Sequence, residues 1–367
     1  MSLKVRFQPV SFSWVALHPQ PQGVIQFIGG AFFGTFVPML FYRYLLECLF
    51  KQGYTIIILP FNFTFDHYAE AGFLIKEQYT LMPELVRMAE QVGYEYEIYL
   101  DDSNFYWIGH SIGCKYIALL EAFTALPKEV YEIKKLIREV VKKTSGNLSP
   151  EKQEKKVQSV FTDIENLINE LQGKSSKAKK LVSYYVNQDS ARVQRNFAES
   201  DVKIASIFIK NQGSLFLAPV NTGLDSAIKP KIFADFIIRL GLNVKPTPEE
   251  TDALIENSNL FNLLGLVYSP LDNIGKSTLQ WFFNIFKKPP EDFRAEFKGG
   301  HLRPLGLSLG NLVINFPDTF SVPPIQSTNR RNAEFELYVF QLLNYLKQKR
   351  QFRRQEVVRA ERHSLGD

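Results

Sequence analysis

Apolar residues in the first third of the chain come in short unbroken runs, separated by longer amphipathic stretches. GVIQFIGG (23–30), TIIILPF (55–61) and NFYWIGHS (104–111) have the pattern of strands buried on both faces. Between the first two, Pro38 can open a helix through MLFYRYLLECLFKQG that stops at Gly53. A second helix fits roughly 77–92, and IGCKYIALLEAFTAL (112–126) is a third, starting directly after a strand. Strand and helix alternating through tight connections predict a parallel sheet with crossover helices. Residues 3–17 alternate apolar and polar and read as one or two edge strands, with Pro9 as a break.

The rhythm changes at about residue 127, and no strand pattern follows until after 197. Val130, Ile133, Ile137, Val140 and Val141 make one helical stripe; Val157, Val160, Phe161, Ile164, Leu167, Ile168 and Leu171 make a second. TSGNLSPEK gives the turn between them, with Ser149 as N-cap and Pro150 at the first helical position. Two one-sided apolar stripes must be covered, so a helical hairpin over 127–200 should dock on the body or on a partner.

Strands return with GSLFLAPVN (213–221), LFNLLGLVYSP (260–270) and FRAEFKGGH (293–301). A helix is expected near Lys231 to Leu240, a second is opened by TPEETDALI with Thr247 as N-cap, and AEFELYVFQLLNYLKQ closes the pattern. The expected division is an α/β core in two parts, 1–126 and 201–346, interrupted by the hairpin at 127–200 and followed by a basic tail at 347–367.

Composition adds limits. The net charge of +5 is unevenly placed: residues 128–180 carry +5, the tail 347–367 carries +4, and the remainder carries −4. A mildly acidic body is not a nucleic-acid platform. The two basic segments leave peripheral membrane or protein contact open, though a solvated helix end is the plainer reading of the tail. Two isolated cysteines, Cys48 and Cys114, build neither a disulfide framework nor a metal site. Asp66 and His67 alone do not make a metal site either, and no cofactor is implied. Residues 24–42 are uncharged for 19 positions, but Gly29, Gly30, Gly34 and Pro38 favour strand, turn and helix over a membrane span.

The chemistry concentrates at Gly109-His110-Ser111-Ile112-Gly113. A G-x-S-x-G turn between a strand and a helix holds a serine on a strained backbone, and the helix N-terminus offers free N–H groups for an oxyanion. A serine hydroxyl needs a base, and in this kind of elbow the chain order is Ser, acid, His. Of the five histidines, His18, His67 and His110 precede or sit within the elbow and His363 lies in the charged tail, which leaves His301. For the acid, Asp272 follows the preceding strand; Asp225, Asp292 and Glu296 compete. Ile112 and Ala31 are the expected oxyanion donors, with Gly30 or Phe32 as alternatives to Ala31. Gly30, Phe32, Phe33 and His110 are counted as substrate-binding, with core packing of the phenylalanines equally open. An apolar neighbourhood suits a small-molecule or lipid-like ester.

SWVALHPQPQGVIQFIGGAFFGTFVPMLFYRYLLECLFKQGYTIIILPF, GHSIGCK, TPEETDALI and GGHLRPL give the chain a resemblance to α/β-hydrolases. More closely, it resembles the domain-of-unknown-function family 1350 of cyanobacteria and plastids. The resemblance implies the α/β-hydrolase fold and a triad of Ser111, Asp272 and His301. It implies no substrate, and suggests a cytoplasmic or thylakoid-adjacent location. A serine hydrolase is therefore expected, against the alternative of a non-catalytic binding or assembly protein that uses the hairpin and the tail.

Overall fold

The computed structural model describes residues 4–62, 64–188, 196–221, 244–256, 263–309, 312–316, 326–328 and 334–364, the backbone alone at 309, 312, 326–328 and 351–364. Asp225, the helix expected near Lys231 to Leu240 and the last three residues lie outside the described residues; His363 lies beyond the described side chains.

The sheet is eight-stranded. Its strands are β1 (Gln8–Val10), β2 (Ser13–Ala16), β3 (Gly23–Ile28), β4 (Tyr54–Ile58), β5 (Phe105–His110), β6 (Gly213–Leu217), β7 (Leu264–Tyr268) and β8 (Arg294–Glu296). Their order is β1-β2-β4-β3-β5-β6-β7-β8. The pairs β1–β2 and β2–β4 are antiparallel and the others parallel. This is the mostly parallel sheet flanked by helices that the α/β-hydrolase resemblance implies. Pro9 does not break the first strand: it sits within β1 opposite Trp14, at a sheet edge where its missing N–H costs no ladder bond.

Alternate residues of the central strands feed two cores. Val24, Ile28, Phe105, Trp107 and Phe216 face α4 (His67–Gln91) and α5 (Ile112–Thr124). Ile25, Phe27, Tyr106, Ile108, Leu215 and Leu217 face α3 (Arg43–Lys51) and the closing helix Glu334–Ser364. Burial on both faces explains the unbroken apolar runs.

Three elements differ from expectation. The helix expected from Pro38 to Gly53 is two pieces, α2 (Pro38–Phe41) and α3, and a further short helix, α1 (Ala31–Thr35), precedes them. Val37 is left-handed at φ 48°, and Pro38 takes the first position of α2 because it cannot sit inside a helix. The helix expected at 77–92 begins at His67, where the Asp66 side chain accepts the Ala69 N–H at 3.0 Å. After β8, the short strands Leu307–Leu309, Leu312–Asn315 and Gln326–Thr328 form a second sheet that the pattern did not announce.

Within 127–200 the described residues form α6 (Val130–Thr144) and α7 (Pro150–Gln188). Ile133, Ile137, Val140 and Val141 of α6, and Val157, Phe161, Ile164 and Leu171 of α7, are buried in the same core as α4. Leu167 of α7 lies over Gly72 of α4, where any Cβ would come within 2.8 Å of its Cδ1. Apart from Val130, which is exposed, the stripes are buried or partly buried within this chain.

Candidate active site

β5 ends at His110, and α5 begins at Ile112. Ser111 alone makes the turn, at φ 56° and ψ −123°, a conformation costly for a residue with a Cβ. The flanking glycines are steric necessities. A Cβ on Gly109 would stand 2.7 Å from the Cys114 nitrogen; one on Gly113 would stand 2.4 Å from the Ile28 carbonyl oxygen. Neighbouring backbone fixes the turn: the Ser111 N–H donates to the Leu217 carbonyl at 3.1 Å, and the Val220 N–H to the Ser111 carbonyl at 3.2 Å.

Two residues far along the chain meet this serine. His301 Nε2 lies 2.9 Å from Ser111 Oγ, and His301 Nδ1 lies 2.9 Å from Asp272 Oδ2. Ser111 is half-exposed, while His301 and Asp272 are buried. Oδ1 of Asp272 accepts the N–H groups of Ile274 and Gly275, each at 2.9 Å. Burial alone would raise the Asp272 pKa. The hydrogen bond and charge of His301, with the Gly275 and Ile274 amides, outweigh it and leave the pKa below its ordinary value. Gly275 is required here, because a Cβ would reach 2.6 Å from Asp272 Oδ2. Ser269 links the acid and histidine loops: its hydroxyl donates to the Gly299 carbonyl at 2.5 Å and accepts the Leu271 N–H at 3.1 Å.

Of the rival acids, Asp292 and Glu296 are exposed and neither hydrogen-bonds His301. Among the expected oxyanion donors, the Gly30 N–H is already given to the Tyr42 hydroxyl at 2.7 Å. The N–H groups of Ala31 and Ile112, each first in its helix, meet no acceptor among the described residues.

The substrate-side residues divide. Phe32 is 61% exposed beside Ala31. Phe33 instead packs on Phe41 and Phe316, with ring centroids 4.9 and 5.6 Å away. His110 needs correction. It is 1% exposed, with Nδ1 2.7 Å from the Tyr42 hydroxyl and Nε2 3.0 Å from the His301 carbonyl, so neither ring nitrogen is open to a substrate. Tyr42 and Ser269 went unnoticed in the sequence. No local pattern distinguishes them, since each acts on a residue thirty or more positions away or across a loop.

Among the described residues no group of histidine, cysteine, aspartate and glutamate could hold a metal ion, and no helix is long and apolar enough to cross a membrane. A cavity of about 220 Å³ between α4 and α7, lined by Asp66, Tyr68, Lys76 and Asp163 among others, shares no residue with Ser111, Asp272 or His301.

Residues 6–129 match the family model described as "Protein of unknown function (DUF1350)". No curated protein matches the chain. Among solved structures, Esterase B from Lactobacillus rhamnosis inhibited by a tributyrin phosphonate is similar at 12% identity and a TM-score of 0.44, over 94% of this chain and 82% of that one. The esterase Est2 from Thermogutta terrifontis is similar at 11% identity and a TM-score of 0.37, over 81% of this chain and 82% of that one. At such identities and scores no activity passes from those enzymes to this chain. Residues 6–129, which hold the turn after β3 and the elbow, are the part of the chain that is similar to that family, and the strand order is that of an α/β-hydrolase fold.

Proposed function

We propose that the protein is a serine hydrolase cleaving an ester or thioester with an apolar acyl or alcohol part. One observation carries the reading: the unbroken hydrogen-bond line from Ser111 Oγ through the His301 ring to Asp272. In the reaction, Ser111 Oγ attacks the carbonyl carbon while His301 Nε2 takes the hydroxyl proton. Asp272, held ionised, accepts from His301 Nδ1 and so fixes the tautomer that leaves Nε2 basic. The negative oxygen of the tetrahedral intermediate meets the N–H groups of Ile112 and Ala31. The intermediate collapses as His301 returns the proton to the leaving alcohol or thiol, leaving an acyl group on Ser111. Water, deprotonated by the same ring, then releases the acid.

The apolar preference rests on the rim. Phe32 and Phe36 follow Ala31 closely in the chain, Leu271 and Ile274 flank Asp272, and all four are exposed apolar side chains. Reading the hairpin as an assembly surface has less behind it, because most of both apolar stripes is buried within this chain, α7 against α4 and α6, and α6 against α7 and the helix Pro248–Glu256.

Rapid mixing with p-nitrophenyl butyrate and acid quench, followed by intact mass, tests the proposal. A butyryl adduct on Ser111, absent from Ser111→Ala, is expected. Turnover that persists in Ser111→Ala rejects the mechanism.

A further inference from the structure

His110 and Tyr42 form a buried unit that the chemistry above does not use. Its donor directions follow from elementary constraints. The His301 carbonyl can only accept, so His110 Nε2 must carry the hydrogen of that 3.0 Å bond. Burial, with the His301 ring nearby, pushes the His110 pKa down to about 3, so the ring is neutral and Nδ1 is an acceptor. The Tyr42 hydroxyl therefore donates to Nδ1 at 2.7 Å. With its one proton spent, Tyr42 Oη accepts the Gly30 N–H, also at 2.7 Å. Each bond demands the next, and both side chains are almost wholly buried.

The chain of bonds connects three separate pieces of backbone. Gly30 belongs to the turn that carries Ala31, His110 is the residue before Ser111, and the last acceptor is the backbone of His301. The turn after β3 is held close against the elbow: a Cβ on Gly30 would stand 3.1 Å from His110 Nδ1 and 3.2 Å from Ser111 Cβ. By occupying the Gly30 amide, Tyr42 leaves Ala31 as the first amide of that turn with no acceptor. By holding the carbonyl of His301, His110 fixes the residue whose ring must meet Ser111 Oγ.

We infer that Tyr42 and His110 are positioning residues, a relay that sets the oxyanion turn and the His301 backbone in register around Ser111. This rests on the reading of Ser111 as nucleophile. Groups that orient a catalytic set from behind commonly matter by about 10–100-fold.

The test uses the full chain with three variants: Tyr42→Phe, His110→Leu and His110→Gln. Phenylalanine is isosteric and removes only the hydroxyl. Leucine removes both polar contacts. Glutamine can still donate to the His301 carbonyl and accept from Tyr42. Readouts are kcat and KM for p-nitrophenyl butyrate, the rate of fluorophosphonate labelling at Ser111, and the thermal midpoint. In Tyr42→Phe, kcat and the labelling rate should both fall about tenfold, with KM within about twofold. His110→Leu should fall at least as far, and His110→Gln should recover most of that loss. A stability role alone would lower the midpoint and leave kcat of the folded fraction unchanged, which overturns the relay. So does a rise in KM at constant kcat, or Tyr42→Phe matching wild type while wild type is labelled. If folded wild-type protein takes no label at Ser111, the nucleophile reading falls and the relay with it. Should His110→Leu fail to fold, Tyr42→Phe alone decides.

Discussion

Asp272 divides its work between two oxygens. Oδ1 is tied to the amides of Ile274 and Gly275, so Oδ2 is held on His301 Nδ1. An asparagine would keep the shape but present either an N–H or a weaker acceptor to that nitrogen, favouring the wrong tautomer. Asp272→Asn should lower kcat for p-nitrophenyl butyrate by roughly 10³–10⁴-fold, with an unchanged thermal midpoint at neutral pH to within a few degrees. A loss below tenfold would remove Asp272 from the triad. Glu121 makes a different prediction, because it lies in α5 away from the chemistry. Burial pushes its pKa up to about 7, partly offset by the Ser214 hydroxyl donating to it at 2.9 Å. The folded chain thus holds a proton there that the unfolded chain has released between about pH 4.5 and 7. Across that window the folded state loses stability as pH rises, by up to roughly 3 kcal/mol from this group. Glu121→Gln should flatten that slope in urea melts at pH 5 and pH 7.5; an identical slope in both proteins would contradict it.

At the scale of elements, what could be foreseen followed from pattern. β3, β4 and β5 are runs buried on both faces, and α5 starts without a spacer after β5, so the elbow was legible from spacing. The glycines of GHSIG needed coordinates to show what they avoid, yet their presence pointed to a tight turn. What was hidden depended on partners distant in sequence. α4 extends back to His67 because α7 covers its first turns, as Leu167 over Gly72 shows. β9 to β11, the three short strands Leu307–Leu309, Leu312–Asn315 and Gln326–Thr328, have three or four residues each, too short for periodicity to register. The docking of α7 can be measured. Leu171 is wholly buried, so Leu171→Ala should cost about 2–5 kcal/mol in a urea melt. A cost under about 0.5 kcal/mol would mean that the helix does not pack on the body in solution.

For the whole molecule, sheet order turns sequence distance into proximity. β5, β6, β7 and β8 lie side by side and parallel, which brings the loops after β5, β7 and β8 together although Ser111, Asp272 and His301 span 190 positions. Chain order set aside His18, His67 and His110, and the charged tail set aside His363, which left His301 among five histidines. His110 was counted as substrate-binding because it sits in the motif, but position within the motif does not tell what a buried ring bonds to, and Tyr42 and the His301 carbonyl take both its nitrogens. The central claim is that Ser111 is a nucleophile made reactive by His301. The direct measurement is fluorophosphonate labelling of the folded full-length protein, with the modified residue located by peptide mass. A label on Ser111 is expected in wild type, with its loss in Ser111→Ala and in a folded His301→Ala. An unlabelled wild type across the pH range where it stays folded, or equal labelling in His301→Ala, would contradict it.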